Sequence, residues 1–426
     1  MVIYTVRPGD SIYQVARRYN VTPEAIAETN GIDLADSLVV GQSIIIRTDT
    51  STHTVNRGES LYLIARQYNV SLDQLLAANP QISSPYIIQP GQTINIPAQA
   101  ENLGTIDVNG YAYPNISMSV LESTLPHLTY LSIFSYHVRP DGSLSQINDT
   151  PLINAARQRR VAPLMVITNI DDEEGFSSDL ARTILRSQTV QDNLINNVIS
   201  TIRSKNYVGV DVDFEYIYPD DRQNYNNFLQ RLSDRLRPNG YTLTTAIAPK
   251  IRADQPGTLY EAHDYDFHGQ IADHVIIMTY EWGFTFGPPL PVAPINEVRR
   301  VLNYAVTAIP PEKILMGMPN YGYNWRLPYV PGTAAQTITN QGAVNLARRE
   351  GAEIMYNTQS QAPFFEYYDD QAQRHIVWFD DARSINARLR LVNEYGLGGL
   401  SYWTINNYFP AQWVILENLY NVNKIL

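Results

Sequence analysis

In the stretch Tyr207-Val208-Gly209-Val210-Asp211-Val212-Asp213-Phe214-Glu215, three carboxylates stand at every second position of an otherwise apolar run. Side chains alternate across a strand, so Asp211, Asp213 and Glu215 share one face while Val210, Val212 and Phe214 share the other. Burial disfavours the charged form of a carboxyl, and like charges crowded on one face push at least one pKa further up. Crowded, perturbed carboxyls are a mark of proton-transfer sites, and they also occur in buried ion networks; the residues alone leave both readings open.

The elements that would hold such a strand follow from the chain around it. Apolar, β-prone runs recur at Leu131 to Phe134, Leu164 to Ile167, Val208 to Phe214, Leu243 to Ala248, Val275 to Met278, Ile314 to Met318 and Gly399 to Trp403. Helical stretches lie between them, at Ser178 to Ser204, Arg222 to Leu236, Ile295 to Ala308 and Ala382 to Tyr395. With Tyr111 to Tyr113 as a first strand the count approaches eight, and strand alternates with helix. The expected class for residues 105–426 is therefore α/β, a (β/α)8 TIM barrel, in which functional groups sit at the C-terminal ends of strands. Glu215 ends its run and is placed accordingly.

The chain has 426 residues, 44% of them hydrophobic, enough for a large core and more than one domain. A net charge of -11 argues against a nucleic-acid or anionic-membrane partner, since no basic patch is visible in the sequence. A neutral or weakly charged partner fits better, and 29 tyrosines with 5 tryptophans supply aromatic faces of the kind that stack on sugar rings. Without cysteine there is no disulfide, thiolate metal site or thiol nucleophile. The start, Met1-Val2-Ile3-Tyr4-Thr5-Val6, carries no visible secretory signal, and no run has the length of a membrane span.

The first hundred residues repeat. Tyr4-Thr5-Val6-Arg7-Pro8-Gly9-Asp10-Ser11-Ile12-Tyr13 aligns with His53-Thr54-Val55-Asn56-Arg57-Gly58-Glu59-Ser60-Leu61-Tyr62, Asn30 with Asn79, and Val40-Gly41-Gln42-Ser43-Ile44-Ile45-Ile46 with Pro90-Gly91-Gln92-Thr93-Ile94-Asn95-Ile96. Each copy has the pattern βααβ, with capping boxes at Ser11/Gln14 and Ser71/Gln74 and an N-cap at Thr22 before Pro23. These residues resemble two tandem LysM modules, at 1–48 and 51–98. That resemblance implies binding of N-acetylglucosamine-containing glycans in grooves formed by Gly9, Asp10, Ser11 and Ile12 with Asn30, Gly31 and Ile32, and by Gly58, Glu59, Ser60 and Leu61 with Asn79, Pro80, Gln81 and Ile82. A short linker at 99–104, within Ala98-Gln99-Ala100-Glu101-Asn102 and beyond, leads to the barrel.

Gly209-Val210-Asp211-Val212-Asp213-Phe214-Glu215 resembles the DxxDxDxE signature of glycoside hydrolase family 18, with Val208 in place of the first acid. Met278-Thr279-Tyr280-Glu281 resembles that family's Met-x-Tyr-Asp segment, with Glu281 replacing Asp. Met316-Gly317-Met318-Pro319-Asn320-Tyr321-Gly322 and Gly398-Gly399-Leu400-Ser401-Tyr402-Trp403 resemble its last two strands. The resemblance implies a retaining glycosidase in which the substrate's own acetamido group is the nucleophile. Glu215 would be the acid and then the base, Asp213 would hold the acetamido N–H, Asp211 would share a proton with Asp213, and Tyr280 would bond the acetamido oxygen. It further implies substrate contacts at Trp403, Met278, Glu281, Tyr111, Asn169, Asn320 and Tyr321.

Two LysM modules before a family 18 barrel resemble, as a layout, the cortex-lytic N-acetylglucosaminidases of spore-forming bacteria. This implies peptidoglycan of the spore cortex as partner, and a place at the coat and cortex boundary reached from the mother cell without a signal peptide. A chitinase is the near alternative and a non-catalytic glycan-binding coat protein the distant one. No cofactor and no metal is expected, since His263, His268 and His274 have no ligand spacing. Gly396-Leu397-Gly398-Gly399 precedes a strand and reads as a turn. The acidic run Asp171-Asp172-Glu173-Glu174 reads as a solvated loop, with a contact at the cleft rim as the lesser alternative. The segment from Phe364 to Trp378 reads either as a hairpin over the cleft or as plain structure, and oligomeric state stays open.

Overall fold

The computed structural model describes residues 1–48, 50–68, 70–97, 101–171 and 175–426. Asp172, Glu173 and Glu174 of the acidic run, Asn69 of the second repeat and Ala98 to Ala100 before the barrel lie outside them. Each repeat is a two-stranded antiparallel sheet with two helices between its strands. In the first, Val2–Thr5 pairs with Ser43–Ile46 around helices Ile12–Tyr19 and Pro23–Asn30; in the second, Thr50–Thr54 pairs with Thr93–Pro97 around Leu61–Gln67 and Leu72–Ala77. The Ser11 hydroxyl accepts the Gln14 N–H while the Gln14 side chain accepts the Ser11 N–H, and Ser71 with Gln74 does the same. Thr22 caps a helix whose first residue is Pro23.

The barrel strands, all parallel, are β1 (Thr105–Ala112), β2 (Tyr130–His137), β3 (Ala162–Thr168), β4 (Gly209–Asp213), β5 (Thr242–Ile247), β6 (His274–Ile277), β7 (Ile314–Pro319) and β8 (Gly399–Trp403). They neighbour one another in chain order, and β8 pairs with β1 to close the barrel. On β4 the apolar face points outward, where the Phe214 ring just beyond the strand stacks on Tyr225 and Phe228 of helix Arg222–Leu236 at 6.0 and 5.9 Å. Inside the barrel, Tyr111, Phe134, Val166, Ala246, Ile276 and Leu315 form a separate cluster that Trp403 packs against.

Three sequence expectations change. The first strand begins at Thr105 rather than Tyr111, because its inward positions are polar and bonded within the barrel. The stretch from Ser178 to Ser204 is two helices, Ser178–Leu185 and Gln188–Lys205, since the Ser187 hydroxyl caps the second by accepting the Val190 N–H. The segment from Phe364 to Trp378 belongs to a five-stranded antiparallel sheet inserted between β7 and β8, ordered Gln336–Ile338, Gly322–Leu327, Arg374–Trp378, Ala362–Tyr368 and Met355–Asn357. Its turn is closed by Asp369, whose carboxylate accepts the N–H groups of Gln371 and Gln373.

Candidate active site

Strand parity brings Asp211 and Asp213 into the barrel mouth, and the chain leaves β4 just after Asp213, so Glu215 stands at the rim. Asp211 is the deepest, with no exposed surface. The Ser132 hydroxyl lies 3.0 Å from its Oδ2 and 3.1 Å from Asn109 Oδ1, and the Asn109 amide donates to Ser401 at 3.0 Å. Polar side chains from β1, β2, β4 and β8 thus form a floor under the acids.

The three carboxyls have different proton affinities. Burial raises Asp211 to about 6, opposed by the Tyr111 and Ser132 hydroxyls. Burial, then the charges of Glu215 and Asp211, raise Asp213 well above the carboxylate range. Burial, then the charge of Glu281, raise Glu215 to about 7. Oδ1 of Asp211 and Oδ1 of Asp213 are both buried acceptors that receive no hydrogen bond, and the Tyr111 hydroxyl is also buried and unpartnered; a proton held on either carboxyl would supply a further donor there. Glu215 is half-buried, and burial with the neighbouring charges favours the protonated form of all three carboxyls.

Two residues fix the backbone that carries Glu215. Asn169, fully buried at the end of β3, accepts the Glu215 N–H at 2.9 Å and donates to the Glu215 carbonyl at 2.8 Å and the Ser177 carbonyl at 3.0 Å. Its amide is used up, so Asn169 is a positioning residue and not the substrate contact that the resemblance implied. His263 accepts the Ala248 N–H through Nδ1 and donates from Nε2 to the Phe214 carbonyl, at 2.9 Å each. Burial holds this imidazole neutral, with its pKa lowered to about 4. Among the described residues no cluster of three or more His, Asp or Glu could hold a metal ion.

A cavity of about 610 Å³ opens over the acids, lined among others by Asp213, Glu215, Tyr280, Glu281, Trp282 and Trp403. Trp403 is the floor of an aromatic cluster, edge-on to Tyr111, Tyr113 and Phe134 at 5.3, 5.8 and 4.8 Å between ring centres. Tyr280 lies against β7 because Gly317 has no side chain: a Cβ there would come within 2.7 Å of the Tyr280 ring. Met278 lines the cavity beside it. Glu281 adopts a left-handed backbone (φ 68°) and is held by the hydroxyls of Tyr321 and Tyr323, the latter at 3.1 Å. Asn320 is buried and donates to the carbonyls of Thr404 and Asn407 at 3.0 and 2.7 Å, so it too holds a loop, the one after β8, and does not face the cavity.

Sequence reasoning missed Tyr216, Trp282, Phe284 and Tyr260, which line the same cavity. Tyr216 and Trp282 directly follow Glu215 and Glu281, so adjacency was a usable signal; Tyr260 comes from the long loop after β5 and carries none.

The LysM residues divide. Asn30 donates to the carbonyls of Ile26 and Ile45 and accepts the Ile45 N–H, and Asn79 repeats this with Leu75 and Asn95. Both are buried clamps within their own module rather than groove contacts. Ile12, Ile32, Leu61 and Ile82 are core residues. Asp10 is bonded to the Tyr4 hydroxyl at 2.6 Å and Glu59 to His53 at 2.7 Å, each also accepting a backbone N–H of its own turn. Gly9, Gly31, Gly58, Ser60, Pro80 and Gln81 are exposed, and Ser11 is half-buried.

Comparison with known proteins agrees with this geometry. The model of glycosyl hydrolases family 18 matches residues 111–407, and that of the LysM domain matches 4–47 and 53–97. The chain is 40% identical over 430 residues to the cortical fragment-lytic enzyme of Bacillus anthracis, covering 99% of each chain. It is 41% identical over 432 residues to that of Bacillus subtilis (strain 168), covering 100% of this chain and 99% of the relative. The crystal structure of the Bacillus megaterium QM B1551 spore cortex-lytic enzyme SleL superposes with a TM-score of 0.92 at 38% identity, covering 100% of this chain and 99% of that one. A chitinase from Chromobacterium violaceum ATCC 12472 matches 74% of this chain and 98% of its own length, with a TM-score of 0.69 at 26% identity.

Proposed function

We propose, since the chain belongs to family 18 of the glycosyl hydrolases, that this glycoside hydrolase cleaves spore-cortex peptidoglycan after N-acetylglucosamine during germination, held on the glycan by LysM modules. The observation that carries the reading is the placement of the Glu215 carboxyl, half-buried in the wall of the cavity at the end of the strand that carries the buried Asp211 and Asp213, where burial and then the Glu281 charge push its pKa up to about 7. Whole-length similarity to cortical fragment-lytic enzymes supports the choice of substrate.

The chemistry follows from the placement. The Glu215 carboxyl gives its proton to the glycosidic oxygen as the bond from C1 breaks, and the acetamido carbonyl oxygen attacks C1 from the opposite face. The resulting oxazolinium carries its positive charge beside Asp213, which accepts the acetamido N–H, while the Tyr280 hydroxyl donates to the acetamido oxygen. Asp211 shares the proton that lets the Asp pair occupy one buried face. The Glu215 carboxylate then takes a proton from water, whose oxygen attacks C1 as the bond from C1 to the acetamido oxygen breaks, which re-forms the acetamide and restores the β configuration. Trp403 packs against the apolar face of the sugar before the cleaved bond.

Mass spectrometry of cortex peptidoglycan digested by the full chain tests this. New reducing ends on N-acetylglucosamine are expected, with chitin oligomers turned over more slowly in parallel; reducing ends on the muramic sugar, or chitin as the better substrate, would overturn the assignment. A thiazoline analogue of the oxazoline should inhibit competitively, and failure to bind would count against substrate assistance.

A further inference from the structure

The two LysM modules are alike in fold and differ in what surrounds them. The second keeps to itself: its core is Val55, Leu61, Ile64, Ala65, Val70, Leu75, Ile82, Ile94 and Ile96, and among the described residues it makes no hydrogen bond or ion pair with the barrel. The first is built into the catalytic body. Its Ile45 joins the main barrel core, and its Val39 joins the core behind the inserted sheet, with Val344, Phe365, Val377 and Phe379. The Ile354 N–H donates to the Val40 carbonyl at 2.9 Å, Arg348 to the Ser37 carbonyl at 2.8 Å and Arg383 to the Gly41 carbonyl at 3.0 Å. Gly41 approaches so closely that a Cβ would lie 1.8 Å from the Ile354 carbonyl oxygen, whereas one on Gly91 would meet nothing within 4 Å.

The repeats have diverged at these positions. Val39 aligns with Gln89 and Ile45 with Asn95; Gln89 is exposed, and the Asn95 side chain donates to its own module's Ala78 carbonyl. The apolar pair is thus specific to the docked copy, and the polar pair is compatible with the same module fold.

The docked module reaches the active site through the inserted sheet. One face of that sheet carries Phe365 and Val377, covered by helix Asn340–Arg349 and Val39; the other carries Tyr323 and Trp325 on strand Gly322–Leu327. The Tyr323 hydroxyl bonds Glu281, as does that of Tyr321 just before the strand, and the Trp325 indole N–H donates to the Gly287 carbonyl at 2.9 Å in the same loop.

We propose that the first LysM module is a fixed back plate of the catalytic body that positions Glu281 through the inserted sheet, leaving the second module as the arm that holds glycan. The inference rests on Glu215 being the catalytic acid, because Glu281 acts through it. Removing residues 1–98 would then slow turnover even of glycans too short to touch a LysM groove, a loss that glycan affinity does not explain.

The test exchanges the docking residues for those the second module already uses, Val39→Gln with Ile45→Asn, in the full chain, with Gly41→Ala as a second variant and Gly91→Ala, which carries the same positive-φ strain (85° against 81°) without the clash, as its control. Hydrogen–deuterium exchange should show faster exchange at 36–45, which marks undocking, and at least a tenfold gain at 322–327. The pH profile of kcat/KM on a short soluble N-acetylglucosamine oligomer should move its alkaline limb to lower pH. The tyrosine hydroxyls favour the charged form of Glu281, and that charge favours protonated Glu215, so loosening them lowers the pH at which Glu215 ionises. Unchanged exchange at 36–45 would show that these residues do not hold the module. Faster exchange there with an unaltered 322–327 and pH profile would show that the module positions nothing. Either result overturns the proposal, whereas a failure of Glu215 itself appears separately, as persistent activity in Glu215→Gln.

Discussion

Replacing Asn169 by Ala removes the clamp that fixes Glu215 without touching any group that faces the cavity. Three hydrogen bonds disappear, two of them to the Glu215 backbone, at 2.9, 2.8 and 3.0 Å. Each neutral bond contributes about 1 kcal/mol net, and a buried N–H or carbonyl left without a partner costs about 1–3 kcal/mol. Water entering the vacated space recovers part of this, so a stability loss of about 2–4 kcal/mol is expected. The effect on turnover should be out of proportion to that loss, because a shift of about 1 Å in a catalytic group costs on the order of 10²-fold in rate. Steady-state kinetics on a soluble N-acetylglucosamine oligomer, at a temperature where the variant is folded by circular dichroism, should give a kcat roughly a hundredfold down with KM changed by less than about threefold. Asn169→Asp keeps the acceptor for the Glu215 N–H and loses both donors, and should fall between Ala and wild type in stability. A kcat for Asn169→Ala within about twofold of wild type would refute the reasoning, because Glu215 would then be held by something else.

Other perturbations test separate parts of the site. Glu281→Gln removes a negative neighbour that raises Glu215; the alkaline limb of kcat/KM, expected near 7, should move to lower pH yet stay above the ordinary Glu value because burial remains, and an unmoved limb would exclude the coupling. Gly317→Ala places a Cβ within 2.7 Å of the Tyr280 ring and 2.6 Å of the Ile277 carbonyl, so kcat should drop roughly tenfold or more, with thermal unfolding showing whether the fold absorbs the clash. Asp221, fully buried between Arg182 and Arg186 at 2.8 and 2.6 Å, has a lowered pKa: burial opposes the charged form, and the two guanidiniums outweigh it. Its stabilisation is therefore present above the unfolded value near 4 and is lost as pH falls through the folded value. Asp221→Ala should cost about 2–3 kcal/mol at neutral pH, below the range for a fully buried pair because both arginines reach water, and should flatten the acid side of the stability curve measured by denaturant titration.

Much of the candidate site was legible because strand parity is a strict rule: Asp211, Asp213 and Glu215 cannot alternate along one strand without sharing a face. What hid was whatever depended on partners distant in the chain. β1 was placed too late because Asp107 and Asn109 interrupt its apolar pattern. Inside the barrel Asn109 is satisfied by Ser132 and Ser401, tens to hundreds of residues away, and Asp107 is bonded to Asn423. The inserted sheet was invisible as a unit since its strands are short and antiparallel, and all five lie outside the apolar runs. The LysM resemblance implied groove roles for Asn30 and Asn79. Only the structure reveals that each spends its amide on its own module's backbone. Val39 and Ile45 differ from Gln89 and Asn95 in plain sight, but a repeat alignment gives such differences no meaning until one copy is seen docked.

The proposed reaction depends above all on Glu215 delivering the proton that breaks the glycosidic bond. Turnover of cortex glycan fragments by Glu215→Gln measures this most directly, since glutamine keeps the shape and the backbone clamp and removes the acid. A fall of about 10³-fold or more, with thermal unfolding unchanged, is the predicted result; turnover within about tenfold of wild type in a folded variant would contradict it.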